Sequence, residues 1–360
     1  MQSRSRPANF ARAMRPQPNS DPRPLANPLA RPLPRPGGGI AVISERESLG
    51  DGFYKLYLLR ALRRAYPTEA IDWYVSEGPA PYAGVLARIA GPDLRKVVSF
   101  AGFRRPWGPA IGRLRSLPRY SLVIDNRTNN AVVMATWLLL KVDLYQAPTP
   151  GYLFCSRRPE GSRPRHRLTR LLKLLEGVTG APVDGAGEIE LEPAAAESAA
   201  KLLPPGPRYV GLAPGSSRPE RCWPLERYIE LARWIAAQGA KPVFILGPIE
   251  QTMLAPLRQA LPQALFPGCS ESETLKDVEL SLALGRRMSA AVGHDTGTAH
   301  LLGAAGSPLL TLFGPSDPRA WQPMAPRSRV LWARDYGGPE IARIPLAAVT
   351  GVLQELMQQS

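Results

Sequence analysis

Short apolar runs recur along this chain with helical stretches between them, and that alternation leaves few folds open. Ile40–Ile43 is one such run, followed by an amphipathic stretch from Asp51 to Tyr66 and a second run at Ile71–Val75. Lys96–Phe100 and Leu122–Asp125 continue the series. Brief apolar runs without polar alternation read as strands buried on both faces, in a parallel sheet covered by helices. A second set begins at Tyr209–Ala213 and continues through a helix at Glu226–Gln238 and strands at Pro242–Leu246, Met288–Val292, Leu309–Phe313 and Val330–Trp332. With 360 residues the chain can bury two cores. The predicted architecture is α/β, two Rossmann-like halves facing each other across a cleft. Residues 39–190 make the first half and 191–345 the second. A final helix over 346–360 is expected to pack back on the first half, and Glu188–Glu192 reads as an edge strand with a charged face.

Charge is large but uneven. Lys and Arg number 45 against 30 Asp and Glu, a formal +15. Residues 1–38 hold seven Arg, one Asp and nine Pro, which reads as a disordered basic tail. A second cluster runs through Arg157, Arg158, Arg163, Arg165, Arg167, Arg170 and Lys173. A solvated surface, an anionic membrane face and an anionic acceptor all fit these cations. Nucleic acid does not: the chain has no aromatic RNA-binding motif, zinc-finger spacing or recognition-helix signature. Cys155, Cys222 and Cys269 lie far apart and are odd in number, which points to a reducing cytoplasm rather than a disulfide framework. The longest apolar run, Ala131–Leu140, is too short to span a bilayer.

Three loops can carry chemistry. Met288–Val292 runs into Gly293-His294-Asp295-Thr296-Gly297-Thr298-Ala299-His300, a strand that turns directly into a helix. Such a junction leaves backbone N–H groups unpaired at the helix start, where an anion can bind. The second loop, Ala213-Pro214-Gly215-Ser216-Ser217-Arg218-Pro219-Glu220-Arg221-Cys222-Trp223-Pro224, follows the first strand of the second half. It combines small residues and hydroxyls with a cation able to make bidentate contacts. The third, Leu49-Gly50-Asp51-Gly52, follows the first strand of all. Asp51 there is either a helix N-cap or a general base facing the cleft. His300 is either a buried helix histidine or a ligand contact.

Taken in order, the Gly50-Asp51 loop, the PGSS…RCWP loop, the HDTGTAH segment and the FGPSDP turn at 313–318 resemble glycosyltransferase family 9, the ADP-heptose:lipopolysaccharide heptosyltransferases and their relatives. The resemblance spans roughly residues 39–358 and implies a GT-B fold, with the acceptor on the first half and a nucleotide-sugar on the second. It implies that Asp51 is the catalytic base. It implies donor contacts from Ser216, Ser217, Arg221, Asp295, Thr296, Gly297 and His300, with Glu250 near the donor nucleoside. Arg221 stands where the family commonly has lysine. The implied reaction is an inverting transfer from a donor such as ADP-heptose to an anionic, lipopolysaccharide-type glycolipid, in the cytoplasm or at the inner membrane. It needs no cofactor, and the lack of an Asp-x-Asp motif agrees with metal-independent transfer. The alternatives are a catalytically silent glycan-binding or scaffold protein of the same fold, a different donor, or a protein acceptor.

Overall fold

The computed structural model describes residues 30–104, 107–270 and 274–358. The first half contains β1 (Ile40–Ser44), α1 (Leu49–Ala65), β2 (Ile71–Val75), α2 (Ala87–Ala90), β3 (Lys96–Val98), α3 (Trp107–Ser116), β4 (Tyr120–Asp125), α4 (Asn130–Leu139), β5 (Val142–Gln146) and α5 (Arg167–Thr179). The second contains α6 (Pro193–Leu202), β6 (Tyr209–Ala213), α7 (Leu225–Ala237), β7 (Lys241–Phe244), α8 (Gln251–Ala260), α9 (Val278–Arg286), β8 (Met288–His294), α10 (Gly297–Ala304), β9 (Leu309–Phe313), α11 (Pro318–Trp321), β10 (Ser328–Trp332) and α12 (Leu346–Gln358).

The strands form two five-stranded sheets, ordered β3-β2-β1-β4-β5 and β10-β9-β8-β6-β7. Their pairings are parallel. The central strands are buried along their whole length, as helices on both faces require. In each sheet the order of strands reverses once, between β1 and β4 in the first and between β6 and β8 in the second. Parallel sheets open a crevice at such a reversal, beyond the carboxyl ends of the strands. The loops singled out from the sequence leave β1, β6 and β8, so all three lie at these crevices.

Helix α1 shows how the halves are joined. Ser48 caps it and Asp51, three residues on, completes a capping box, which contributes about 1 kcal/mol. Pro67 follows its end and cannot extend it. Phe53, Leu56, Leu58, Leu59 and Leu62 are buried, because α1 packs against α5 on its own side and α10 of the other half. One apolar core therefore runs from Val42, Phe53 and Trp73 through to Ala299, Leu301 and Leu302.

Four sequence expectations change. The strand β5 was not foreseen. The expected disordered tail lies, over residues 1–29, outside the described residues, but residues 30–38 are anchored to the first half. Leu33 is buried, the Arg31 N–H donates to Thr179 O (2.8 Å), and the Gly37 N–H donates to Glu69 Oε1 (2.7 Å). Glu188–Glu192 is not a strand; Ile189 is buried in the core and Leu191 packs against it, while the chain runs on to α6. Finally, α12 packs on the second sheet rather than the first: Val349, Leu353 and Leu356 join the core of Trp223, Tyr228 and Leu310. The cause lies just before the helix, where Trp223 Nε1 donates to Ile344 O (3.0 Å) and Arg227 donates to Ala342 O and Ile344 O. With Ile344 held there, α12 starts against the second half.

No helix among the described residues is long and apolar enough to cross a membrane.

Candidate active site

At the reversal of the first sheet the β1–α1 and β4–α4 loops enclose a cavity of about 240 Å³ lined by Glu45, Arg46, Asp51, Tyr54, Lys55, Arg104, Arg167 and residues 126–129. Its floor is rigid. Strand β4 ends on Asp125, and the chain doubles back so that the buried Arg127 grips that carboxylate with Nε and Nη2. Arg127 also donates to Phe103 O (2.9 Å) and Thr136 Oγ1 (2.6 Å), and Tyr145 donates to Asp125 Oδ2. A guanidinium taken from water is tolerable only when paired in this way. Beside it Lys55, 2% exposed, bonds Glu47 Oε1 at 2.8 Å, and Trp73 Nε1 donates to the same oxygen at 3.1 Å. Burial disfavours the Lys55 ammonium, but Glu47, Tyr54 and Asp51 outweigh it and hold the group firmly charged.

Asp51 stands at the mouth of this cavity. It is the third residue of α1 rather than its N-cap, which is Ser48. The Ser48 N–H (2.8 Å) and Oγ–H (2.7 Å) both donate to Asp51 Oδ2. Burial raises the carboxyl pKa, but the Lys55 charge and hydrogen bonds from Ser48 and Tyr54 prevail and bring it below the ordinary value. Asp51 is thus an ionised carboxylate at neutral pH, facing a basic cavity.

The second site is built at the β6/β8 reversal. Gly215 lies flat against the buried Glu250, whose Oε1 would stand only 1.9 Å from a Cβ added there. Glu250 Oε2 accepts the Gly247 N–H (2.7 Å), and burial raises its pKa to about 6. Ser216 Oγ accepts the Arg218 N–H (3.1 Å), while Ser217 is exposed. Arg221 Nη1 meets Asp295 Oδ2 at 2.9 Å and Asp295 O at 3.2 Å. Burial raises the Asp295 pKa against the pull of Ser316, Arg221 and Arg218. Thr296 is the N-cap of α10 but makes no side-chain cap bond, and its Oγ1 is buried without a hydrogen-bond partner. The first amides of α10 therefore have no side-chain acceptor of their own, the state in which a helix start binds an anion.

The two sites touch. A Cβ on Gly50 would lie 3.1 Å from Gly297 Cα and 3.2 Å from His300 Cδ2. Only a residue without a side chain lets the starts of α1 and α10 approach so closely. His300 is buried against Tyr54, ring centroids 6.0 Å apart, and burial lowers its pKa to about 4 although Asp51 pulls it upward. At the other side of the seam His166 Nε2 lies 2.9 Å from Gln322 O, and the Arg167 guanidinium sits 4.0 Å over Trp321.

Asp51, Thr296, Gly297 and His300 thus meet at the seam, and Ser216, Arg221, Asp295 and Glu250 gather at the second reversal. Sequence reasoning missed Lys55, Arg127 and His294. His294 ends β8 fully buried, and its Nε2 takes the Trp223 N–H (3.0 Å) and lies 2.9 Å from Tyr228 Oη. It ties the 213–224 loop to the strand that precedes Asp295. Burial lowers its pKa to about 3, so it is a neutral strut. It was visible as part of the HDTGTAH segment; Lys55, on an amphipathic helix that also carries Arg60, Arg63 and Arg64, gave no comparable signal.

Comparison with known proteins places these features. A family profile described as Glycosyltransferase family 9 (heptosyltransferase) matches residues 145–344. The lipooligosaccharide heptosyltransferase 2 of Haemophilus influenzae is 26% identical over 123 residues, 34% of this chain and 36% of that one. The lipopolysaccharide heptosyltransferase 1 of Escherichia coli K12 is 25% identical over 297 residues, 77% of this chain and 88% of that one. Among solved structures, the E. coli heptosyltransferase WaaC with ADP superposes with a TM-score of 0.62 at 20% identity, covering 88% of this chain and 99% of the other. At that identity the likeness speaks for the GT-B fold.

Proposed function

The chain belongs to glycosyltransferase family 9, the heptosyltransferase family, and we propose that it moves a heptose-like sugar from a nucleoside diphosphate to an anionic glycolipid of the lipopolysaccharide type, with inversion. The acceptor is assigned to the first half, residues 39–190, and the donor to the second, residues 191–345. ADP-heptose is the first donor to consider, because the curated relatives are heptosyltransferases and WaaC was solved with ADP. The work would be done at the cytoplasmic face of the inner membrane, where such an acceptor is presented.

The contact of Gly50 with Gly297 carries the reading, because it brings a carboxylate on one half beside an anion-ready helix start on the other. In the proposed step Asp51 takes the proton of an acceptor hydroxyl, and we assign that role to Oδ1, which is not used in the capping box. The hydroxyl oxygen bonds to the anomeric carbon as the carbon–oxygen bond to the diphosphate breaks. Charge then grows on the leaving phosphate. The Gly297 amide at the start of α10 and the Arg221 guanidinium would offset it, whereas the Thr296 N–H is already given to His294 O (2.8 Å). One displacement on the face opposite the leaving group gives inversion, with one base and no covalent intermediate. Ser216, Ser217 and Asp295 would position the diphosphate and sugar, and Glu250 the nucleoside. The cations around the cavity, Arg46, Arg104 and Arg167, suit phosphate groups on the acceptor.

Calorimetric titration with a panel of nucleoside diphosphates tests the reading. Saturable binding of ADP above the others is expected. If none of the panel binds, the protein is not a nucleotide-sugar transferase and the silent scaffold of the same fold takes its place.

A further inference from the structure

Helix α4 contradicts its own surroundings. Its sequence, Asn130-Ala-Val-Val-Met-Ala-Thr-Trp-Leu-Leu139, holds no charged residue. Val132, Val133 and Thr136 face the first sheet, as a covering helix should. Yet Ala131, Met134, Trp137 and Leu138 are exposed, at i, i+3, i+6 and i+7, which puts them on one outward face. Trp137 is 44% exposed and Leu138 66%. The patch extends beyond the helix. Trp137 lies 5.7 Å from the Phe154 ring, and the adjoining Leu153 is 67% exposed. Leu153 is held out by a turn in which Gly151 and the non-glycine Tyr152 both have positive φ, +62° and +54°. A tyrosine in that region costs about 1 kcal/mol, so strained backbone is being used to present a leucine to solvent. Isolated exposed leucines need no explanation; a contiguous face of this kind does.

The charges around the face say what covers it. From 94 to 159 the chain has eleven Lys and Arg but only two acids, Asp125 and Asp143. Those acids pair with the buried Arg127 and with Arg119 and Arg35, and Arg95 and Arg104 pair with Asp72 and with Glu45 and Glu77; the exposed cations outside these pairs include Arg113, Arg115, Lys141 and Arg158. Helix α3 packs beside α4 and ends in the exposed Arg113 and Arg115. Lys141 follows α4 directly, and Arg158 lies four residues beyond Phe154; both are exposed. A second copy of this chain docking face to face would set cations against cations. An anionic bilayer supplies both an apolar interior for Trp137 and Leu138 and phosphates for the cations around them.

We propose that the α4 face, Met134, Trp137, Leu138 and Leu153 with the cations of α3 and residues 141–158, is a docking surface for an anionic lipid membrane. Asn129 both caps α4 and lines the cavity, so the apolar face begins where the cavity ends. The helix is about 15 Å long. Docking there would hold the mouth of the first half within one helix length of the lipid surface. The proposal rests on the glycolipid reading only for the reason the enzyme should be at a membrane; the face and its charge do not depend on it.

Flotation of the full chain with vesicles tests it. The protein should float with phosphatidylcholine vesicles containing phosphatidylglycerol, stay behind with phosphatidylcholine alone, and be released by salt. Trp137→Ser combined with Leu138→Ser should weaken flotation by about tenfold or more, since two large side chains no longer enter the interface. Arg113→Gln with Arg115→Gln should weaken it and flatten the salt dependence. Thermal unfolding checks that each variant folds, and Leu153→Ser replaces the double variant if that one does not. The proposal fails if the wild type ignores anionic vesicles, or if the folded variants float like it. It also fails if light scattering shows a concentration-dependent dimer that the double variant abolishes, since the face would then belong to a second copy. Flotation needs neither donor nor acceptor, so a failed nucleotide titration would leave this result standing.

Discussion

Asp51→Asn separates the two roles that Asp51 can play. As the third residue of α1 it accepts two hydrogen bonds from Ser48 on Oδ2. An asparagine carbonyl can still accept them, so the capping box is weakened rather than lost. The charge lost from the first turn adds a further helix-dipole term. Together these amount to about 1 kcal/mol of stability. Lys55 loses a neighbour but keeps Glu47 at 2.8 Å, so no buried cation is left unpaired. If Asp51 is only a cap, kcat should hardly move. If it takes the acceptor proton, kcat should fall by about 10²–10⁴, or roughly 3–5 kcal/mol of transition-state stabilisation. Ser48→Ala is the converse control. It removes the capping hydroxyl, lowers stability by about 1 kcal/mol, and leaves the carboxylate in place and slightly more basic, so kcat should stay within about tenfold of the wild type. ADP release under saturating donor and acceptor gives kcat, calorimetry gives nucleotide affinity, and thermal unfolding reports the cap. Nucleotide affinity should be nearly unchanged in Asp51→Asn. A kcat for that variant within about tenfold of the wild type, or equal losses in Asp51→Asn and Ser48→Ala, would remove Asp51 as the base.

Three further perturbations read other parts of the site. Gly215→Ala should drive the Glu250 carboxylate from its bond to Gly247, costing about 1–3 kcal/mol of stability and weakening ADP binding; a variant that binds ADP normally would detach Glu250 from the donor site. Arg221→Ala should lower nucleotide affinity by about tenfold or more, and Arg221→Lys should recover most of it; a lysine no better than alanine in titration would mean that the site depends on the guanidinium's shape. His294 and His300, whose pKa values are depressed from 6.5 to about 3 and about 4, are neutral when folded. Their contribution is complete above the unfolded value and lost as pH falls from 6.5 through the folded values, up to about 3 kcal/mol for His300. Denaturant unfolding between pH 7 and 4 measures this, and a His300→Asn variant with the same acid slope would refute that assignment.

The period of apolar runs was enough to expect two parallel sheets, because buried parallel strands cannot hide their composition. What it could not reveal was anything set by packing between distant segments. Strand β5 begins Val142-Asp143, and the aspartate, which pairs with Arg119 and Arg35, interrupts the apolar signal. The tail seemed featureless because nine prolines mask Leu33, whose burial depends on a core formed much later in the chain. Residues of the cavity floor were equally hidden. Arg127 and Lys55 look like any surface cations until Asp125 and Glu47 are seen to enclose them. The short loops at the strand ends were legible, since glycine, serine and aspartate at a βα junction are dictated locally.

The approach of Gly50 to Gly297 makes two helices meet start to start. Each start carries about half a positive charge, so the poles repel and the two halves are, at this one point, pushed apart. Asp51 on one side and Asp295 on the other act as built-in counterions. A diphosphate lodged there would add negative charge between two like poles and turn a repulsion into a clamp. An anion in the seam would then do more than occupy it: it would supply the adhesion that fixes one half against the other, and releasing it would loosen the grip.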